Sequence, residues 1–113
     1  MIEYWHNPRC SKSRAGLVLL EENGAKVKVR KYLENPPSTD ELYQLLKSLG
    51  ISAIELMRTR EKQFKELGLT KTSADETLIA AMAEYPILIE RPIAIAGDKA
   101  AIGRPPENLL GVL

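Results

Sequence analysis

The first 33 or so residues contain two short strands with a helix between them, and this arrangement restricts the possible folds more than any other feature. MIEYW is short, apolar and aromatic-bearing, as is typical of a strand. The apolar spacing from Ser11 predicts a helix that ends near Asn23. KVKVRKYL then alternates valine with basic residues, as a second strand would. Because a helix connects the two strands, we expect them to be parallel in one sheet.

The middle of the chain, from the second strand to Pro86, carries a series of short helices. Ser38 with Glu41 has the spacing of a capping box, and so does Ser73 with Glu76, so we expect a helix to begin after each serine. Three segments of this block also have helical spacing: SAIELM, EKQFKELG and SADETLIAAMAEY. The block is longer than a simple crossover between two strands requires.

The last part of the chain predicts two strands and a closing helix. Ile93–Ala96 and Lys99–Ile102 flank a tight turn at Gly97–Asp98, which indicates an antiparallel hairpin. PPENLLGVL follows as a helix, because proline is tolerated in a first helical turn.

The order of these elements is that of the thioredoxin fold with a helical insertion. We therefore predict an α/β protein with a thioredoxin-like, four-stranded mixed sheet. The insertion, at about residues 38–86, would lie between the second and third strands. The 113 residues fit one domain, residues 1–113, and an apolar fraction of 44% is sufficient for a core.

Charge and composition limit the partners and the location. A net charge of +1, with acids and bases mixed along the chain, argues against nucleic-acid binding through bulk charge. No apolar run approaches the ~18–20 residues of a membrane span, and the N-terminus lacks the layout of a signal peptide. We therefore expect neither a nucleic acid nor a membrane as a partner. Because one cysteine cannot form an internal disulfide, the expected location is the reducing cytoplasm.

Cys10, the only cysteine, lies where the first strand ends and the first helix begins. Unpaired N–H groups at a helix start favour an anion, and nearby cations lower the pKa of a thiol. A lone cysteine is more often buried and inert, but the polar and cationic flank of this one favours a functional thiol. The neighbours that can stabilise a thiolate or a bound oxyanion are basic or hydroxyl-bearing: His6, Arg9, Ser11, Lys12, Ser13 and Arg14.

Several kinds of thiol chemistry do not match this segment. The dithiol motif Cys-x-x-Cys has Ser13 at its resolving position here, so any disulfide must involve an outside thiol. One cysteine and one histidine fall short of a structural zinc site, and we predict no metal. A phosphatase of the Cys-x5-Arg kind would need arginine where this chain has Gly16.

The sequence resembles the thioredoxin-fold arsenate reductases that depend on glutathione and glutaredoxin, and within them a subgroup of shorter chains. The likeness covers nearly the whole chain and is carried by blocks in the same order: YWHNPRCSKSR, YLENPPSTDEL, LMRTREKQFKELGL, YPILIERPIAI and AIGRPPENLL. The resemblance implies that a cysteine attacks arsenate to give a thiol–arsenate adduct. Glutathione would then attack, and glutaredoxin would complete the electron supply and release arsenite. No bound cofactor is implied, because glutathione acts as a co-substrate.

The resemblance also implies roles for individual residues. Cys10 would be the nucleophile, His6 would help to hold the thiolate, and Ser13 matches the serine that follows the cysteine by three positions. Three arginines would surround the oxyanion: Arg58, Arg91 and Arg104.

The chemistry of arginine agrees with the last assignment, because a guanidinium offers paired donors in a fixed plane to a tetrahedral anion. Arg91 and Arg104 each precede a proline at the edge of a predicted strand. The Arg91–Pro92 bond fits the cis-proline that thioredoxin folds place beside the active thiol. In the helical block, Arg60 lies two residues from Arg58, and the sequence supports either as a site residue.

Two alternatives stay open. The chain could be a non-enzymatic regulator of the Spx type that binds RNA polymerase, although redox-sensing members typically use Cys-x-x-Cys. It could also be a glutathione-linked thiol oxidoreductase that acts on another substrate through a mixed disulfide on Cys10.

Overall fold

A computed structural model describes all 113 residues, which form four strands, four α-helices and three 3₁₀ helices. The strands are β1 Ile2–Trp5, β2 Val27–Arg30, β3 Ile93–Ala96 and β4 Lys99–Ile102. The α-helices are α1 Ser11–Glu22, α2 Thr39–Leu49, α3 Lys62–Glu66 and α4 Asp75–Glu84. The 3₁₀ helices are Ala53–Leu56, Pro86–Leu88 and Pro106–Val112. None of the helices has the length and apolar character needed to cross a membrane.

The backbone forms two compact units. The sheet unit comprises Met1–Asn35 and Arg91–Leu113, and the helical unit comprises Pro36–Glu90. The prediction of one domain over residues 1–113 with an insertion at about 38–86 stays a prediction.

The sheet unit contains one four-stranded mixed sheet in the order β2-β1-β3-β4. β1 pairs in parallel with β2, β1 pairs antiparallel with β3, and β3 and β4 form an antiparallel hairpin. The predictions of an α/β protein, of a parallel first pair and of the hairpin are confirmed. The pairing of Trp5 with Ile93 is important for the site, because it brings the end of β1 beside the start of β3.

The core of the sheet unit lies between the sheet, α1 and the closing helix. Ile2 and Tyr4 lie on the same face of β1, because side chains two residues apart on a strand point to the same side. They pack in one cluster with buried residues of α1, β3 and the closing helix: Leu20, Ala94, Leu109 and Val112. The predicted closing helix is present, and it has 3₁₀ rather than α geometry.

The helical unit begins with the capping box that the sequence predicts. The Glu41 backbone N–H donates to Ser38 Oγ at 3.1 Å, and the Ser38 N–H donates to Glu41 Oε1 at 3.0 Å. α2 ends at Gly50, whose φ of 67° is the left-handed conformation that glycine adopts without strain. The interior of the unit is formed by buried apolar side chains: Leu42, Leu45, Leu56, Phe64, Leu78, Ile79, Met82 and Leu88.

Two expectations for the helical unit need correction. SAIELM forms a 3₁₀ helix, Ala53–Leu56, and not an α-helix. The predicted capping box of Ser73 and Glu76 is wrong, because Ala74 occupies the N-cap of α4 and provides no side-chain bond. Ser73 Oγ instead accepts the Thr70 N–H at 2.9 Å, so a turn before the helix takes the side chain that the box would need.

These two serines provide a test of local stability. We expect Ser38→Ala to lower the free energy of unfolding by about 1 kcal/mol, because it leaves a first-turn N–H of α2 without its cap. Ser73→Ala removes only a bond in an exposed turn and should cost clearly less. Urea denaturation of both variants measures the difference, and equal losses would contradict the assignment of a capping box to Ser38 and not to Ser73.

Candidate active site

Cys10 occupies the N-cap of α1, with the extended backbone that this position requires (φ −92°, ψ 121°). Its backbone N–H donates to the Asn7 carbonyl at 3.0 Å, and its carbonyl accepts the Arg14 N–H at 3.0 Å. Asn7 Oδ1 also accepts the Arg9 N–H at 3.1 Å. The turn after β1 is therefore closed by its own polar groups, and it leaves the partly buried thiol at the open end of the helix.

Donors from two parts of the chain act on the thiol. Burial alone would raise the pKa of Cys10, but hydrogen bonds from the Ser13 backbone, the Arg91 side chain and the Lys12 backbone, with the charge of Arg91, lower it below its usual range. Arg91 precedes β3, and the pairing of Trp5 with Ile93 explains why it reaches a residue so far away in sequence. The guanidinium of Arg91 therefore acts on the thiol at the start of α1.

Ser13 is fully buried, and its side chain has two partners. Its Oγ accepts the Asn7 backbone N–H at 3.0 Å and lies 2.7 Å from His6 Nδ1, where either atom can be the donor. Burial of a hydroxyl is costly unless it is hydrogen-bonded, and these bonds remove that cost. The hydroxyl therefore holds the turn to the helix.

His6 is buried against Ser13, and its hydrogen bond goes to that residue rather than to the sulfur. Burial, with the positive charges of Lys31 and Arg14, lowers the pKa of His6. A neutral imidazole at pH 7 is therefore the favoured form. The thiolate-holding role that the resemblance implies for His6 stays a prediction, and this geometry would route it through Ser13.

Arg91 and Arg104 lie together. The Arg91–Pro92 peptide bond is cis, as predicted, and the Arg104–Pro105 bond is also cis. Arg104 Nε donates to the Arg91 carbonyl at 2.8 Å, and the Gly103 N–H donates to the Pro92 carbonyl at 2.8 Å. The two predicted arginines are therefore joined to each other, and Arg91 is the one that acts on the thiol.

Arg58 belongs to the helical unit and is engaged there with two carboxylates. Its guanidinium lies 2.6 Å from Glu61 Oε1 and 4.0 Å from Glu90 Oε1. Arg60 is exposed. The role of Arg58 at the oxyanion stays a prediction.

The chain matches the ArsC family over residues 5–112, nearly its whole length. It belongs to the ArsC family. An arsenate reductase of Neisseria meningitidis serogroup A is 50% identical over 114 residues, with 99% of this chain and 97% of that protein covered. An uncharacterized protein of Escherichia coli K12, YfgD, is 52% identical, with coverage of 99% and 96%. The solved structure of an arsenate reductase from Vibrio cholerae has a TM-score of 0.94 at 47% identity, with coverage of 99% and 97%.

These matches confirm the family resemblance and the thioredoxin-like fold.

The remaining residues near the thiol of this ArsC family member lie on its surface. Arg9, Ser11 and Lys12 are exposed, and Lys12 contributes its backbone, rather than its charge, to the lower thiol pKa. Arg14 is also exposed, and its side chain donates to the Pro8 carbonyl at 2.8 Å. No group of three or more His, Cys, Asp or Glu side chains is placed to hold a metal ion.

Gly16 and Gly103 belong to the site for a steric reason that sequence reasoning missed. A Cβ at Gly16 would lie 2.5 Å from the Tyr4 hydroxyl and 2.6 Å from Leu109, and one at Gly103 would lie 2.7 Å from Pro92. For Gly16 the sequence did hold a signal, because a glycine inside a helix is unfavourable unless close packing requires it. The missing arginine of the Cys-x5-Arg motif thus has a physical cause, since no side chain fits at Gly16.

The thiol itself can be titrated. We expect the alkylation rate of Cys10 by iodoacetamide to rise with pH about a midpoint below ~8.5, the value of an ordinary thiol. Arg91→Ala should move the midpoint up, because a hydrogen bond and a positive charge are lost together. Arg60→Ala is the matched control and should leave it unchanged. The same midpoint in both variants would contradict the placement of Arg91 at the thiol.

The close packing at Gly16 gives a second test. Alanine normally stabilises a helix by about 0.5–1 kcal/mol relative to glycine. Here we expect Gly16→Ala to destabilise the protein by about 1–3 kcal/mol, because its Cβ overlaps Tyr4 and Leu109. Gly111→Ala, whose Cβ would meet no atom within 4 Å, is the control for urea denaturation. If Gly16→Ala instead stabilises the protein, Gly16 does not lie as close to Tyr4 and Leu109 as described.

Proposed function

We propose that this protein is an arsenate reductase that uses Cys10 as its nucleophile and takes electrons from glutathione and glutaredoxin. The observation that carries the proposal is the thiol at the start of α1 that also receives a hydrogen bond from Arg91. Relatives about half identical over the full length that are named arsenate reductase support the same activity.

The first step is attack of the Cys10 thiolate on arsenic. An S–As bond forms, one oxygen of arsenate leaves as water after protonation, and arsenic stays pentavalent. The start of α1 and the guanidinium of Arg91 would stabilise both the thiolate and arsenate, because each favours negative charge at this place. Arg104, joined to the Arg91 backbone, would supply further donors to the arsenate oxygens.

The second step needs a thiol from outside, because Cys10 is the only cysteine of the chain. Attack by the glutathione thiolate on the Cys10 sulfur would form a mixed disulfide and break the S–As bond, whose electron pair reduces arsenic to arsenite. A glutaredoxin thiol would then take the glutathione and regenerate Cys10. No bound cofactor is required, and a reducing cytoplasm would keep the single thiol ready.

The proposal predicts turnover in a coupled assay of arsenate, glutathione, glutaredoxin, glutathione reductase and NADPH. The wild-type protein should consume NADPH in an arsenate-dependent way, and Cys10→Ser should abolish this. Arg91→Ala should lower kcat/KM by about 100-fold or more, because it loses charge-assisted bonds to the thiolate and the oxyanion. Arg60→Ala serves as the control and should retain the wild-type rate.

Mass spectrometry of the same mixtures separates the proposal from its closest alternative. Cys10 should acquire glutathione faster when arsenate is present, because the adduct is the species that glutathione attacks. Rapid glutathionylation that does not respond to arsenate, with no NADPH turnover, would instead favour a thiol oxidoreductase for another substrate.

A further inference from the structure

Ser13 is the third residue of α1, a position whose backbone N–H points toward the side chain of the N-cap residue Cys10, and it is held from three sides. Its backbone stabilises the Cys10 thiolate, and its hydroxyl contacts His6 and the Asn7 amide. The carbonyl of Ser13 also accepts a hydrogen bond from the Tyr4 hydroxyl at 2.7 Å. The residue whose N–H faces the sulfur is therefore anchored by both its side chain and its carbonyl.

Tyr4 is suited to anchor this residue because it cannot move easily. It is fully buried in the central strand β1 and is paired on both sides, with Val29 of β2 and Ala94 of β3. A tyrosine hydroxyl in a core needs a partner, and the Ser13 carbonyl is the one it has here. The phenol thus connects the rigid centre of the sheet to the first turn of α1.

The helix is shaped to admit the phenol. Gly16 lies one turn after Ser13, and its missing Cβ leaves room for the Tyr4 hydroxyl. Burial and the nearby Cys10 raise the pKa of Tyr4 to about 12, with the hydrogen bond to Ser13 acting in the opposite direction. The hydroxyl therefore keeps its proton at neutral pH and acts as a donor to the Ser13 carbonyl.

We propose that Tyr4 is a positioning residue for the thiolate: its hydroxyl holds the Ser13 carbonyl so that the Ser13 N–H stays directed at Cys10. The proposal deepens the proposed function and rests on it only for the catalytic consequence. Tyr4 does not touch the reacting atoms. It acts through Ser13, so its effect should be seen in the acidity of the thiol.

The groups around the thiol predict the direction of the effect. Arg91 acts on Cys10 from the segment before β3, Tyr4 faces it from β1, and Lys12 and Ser13 act through their backbone in α1. Loss of the Tyr4 hydroxyl leaves Arg91 in place and loosens the Ser13 donor. The thiol pKa should therefore rise, by less than the loss of Arg91 would raise it.

The test is the pH dependence of Cys10 alkylation in the full-length Tyr4→Phe protein. Phenylalanine keeps the ring in the core and removes only the hydroxyl. The midpoint should rise by about half a unit to one unit, and the alkylation rate at a pH well below the midpoint should fall about 3- to 10-fold. The rate at high pH, where every thiol is ionised, should change little.

Leu20→Ala is the control for a purely structural effect, because Leu20 lies in the same core cluster and carries no polar group. It should lower the thermal midpoint without moving the thiol midpoint. If Tyr4→Phe also lowers stability and leaves the thiol midpoint at the wild-type value, the proposal is overturned and Tyr4 is only a core residue.

A second measurement applies if Tyr4→Phe does not fold. In the wild-type protein, the ¹³Cζ resonance of Tyr4 should shift with the midpoint of the Cys10 titration, and this shift should vanish in Cys10→Ser. No shift in the wild-type protein would overturn the proposal. Neither measurement uses arsenate, so failure here is distinct from failure of the proposed function, which absent NADPH turnover would reveal.

Discussion

The grouping of donors around the Cys10 sulfur at the start of α1 is the constraint around which this protein is arranged. A partly buried thiolate is unfavourable without donors, and those it has come from two places: the first turn of α1 and Arg91, some eighty residues later. Strand order brings them together. β1 leads directly to the helix that bears Cys10, and β3, its antiparallel neighbour, begins just after Arg91. The last residue of β1 and the first residue of β3 therefore lie side by side at the same end of the sheet.

Close packing supports this meeting. Pro92 lies close to Gly103 and near Gly16. Leu109 of the closing helix is so close to both glycines that a Cβ on either one would overlap it. Two glycines and one leucine thus let α1, the proline segment and the closing helix approach closely. The cost of a glycine within a helix is accepted where a backbone must come near a rigid ring. Arg104 adds a polar link, because its guanidinium binds the carbonyl of Arg91.

Local sequence patterns predicted most of the elements, and one failure shows their limit. Ser38 and Ser73 carry the same capping signal, but only Ser38 forms the box. The difference lies in the preceding residues, since Thr70 offers an N–H that Ser73 accepts. The 3₁₀ geometry of Ala53–Leu56 and of the closing helix was likewise not visible, because apolar spacing over so few residues does not separate 3₁₀ from α geometry.

The sequence by itself determined that a strand, a helix and a strand open the chain, that Cys10 begins the helix, and that the hairpin turns at Gly97–Asp98. These features depend on residues close together along the chain, where spacing and turn chemistry act directly. Only the tertiary structure decided that Arg91 reaches the thiol, that Arg104 joins it and that Tyr4 anchors Ser13. These contacts join residues that only strand order and packing bring together, and no local pattern specifies which buried donor meets which carbonyl.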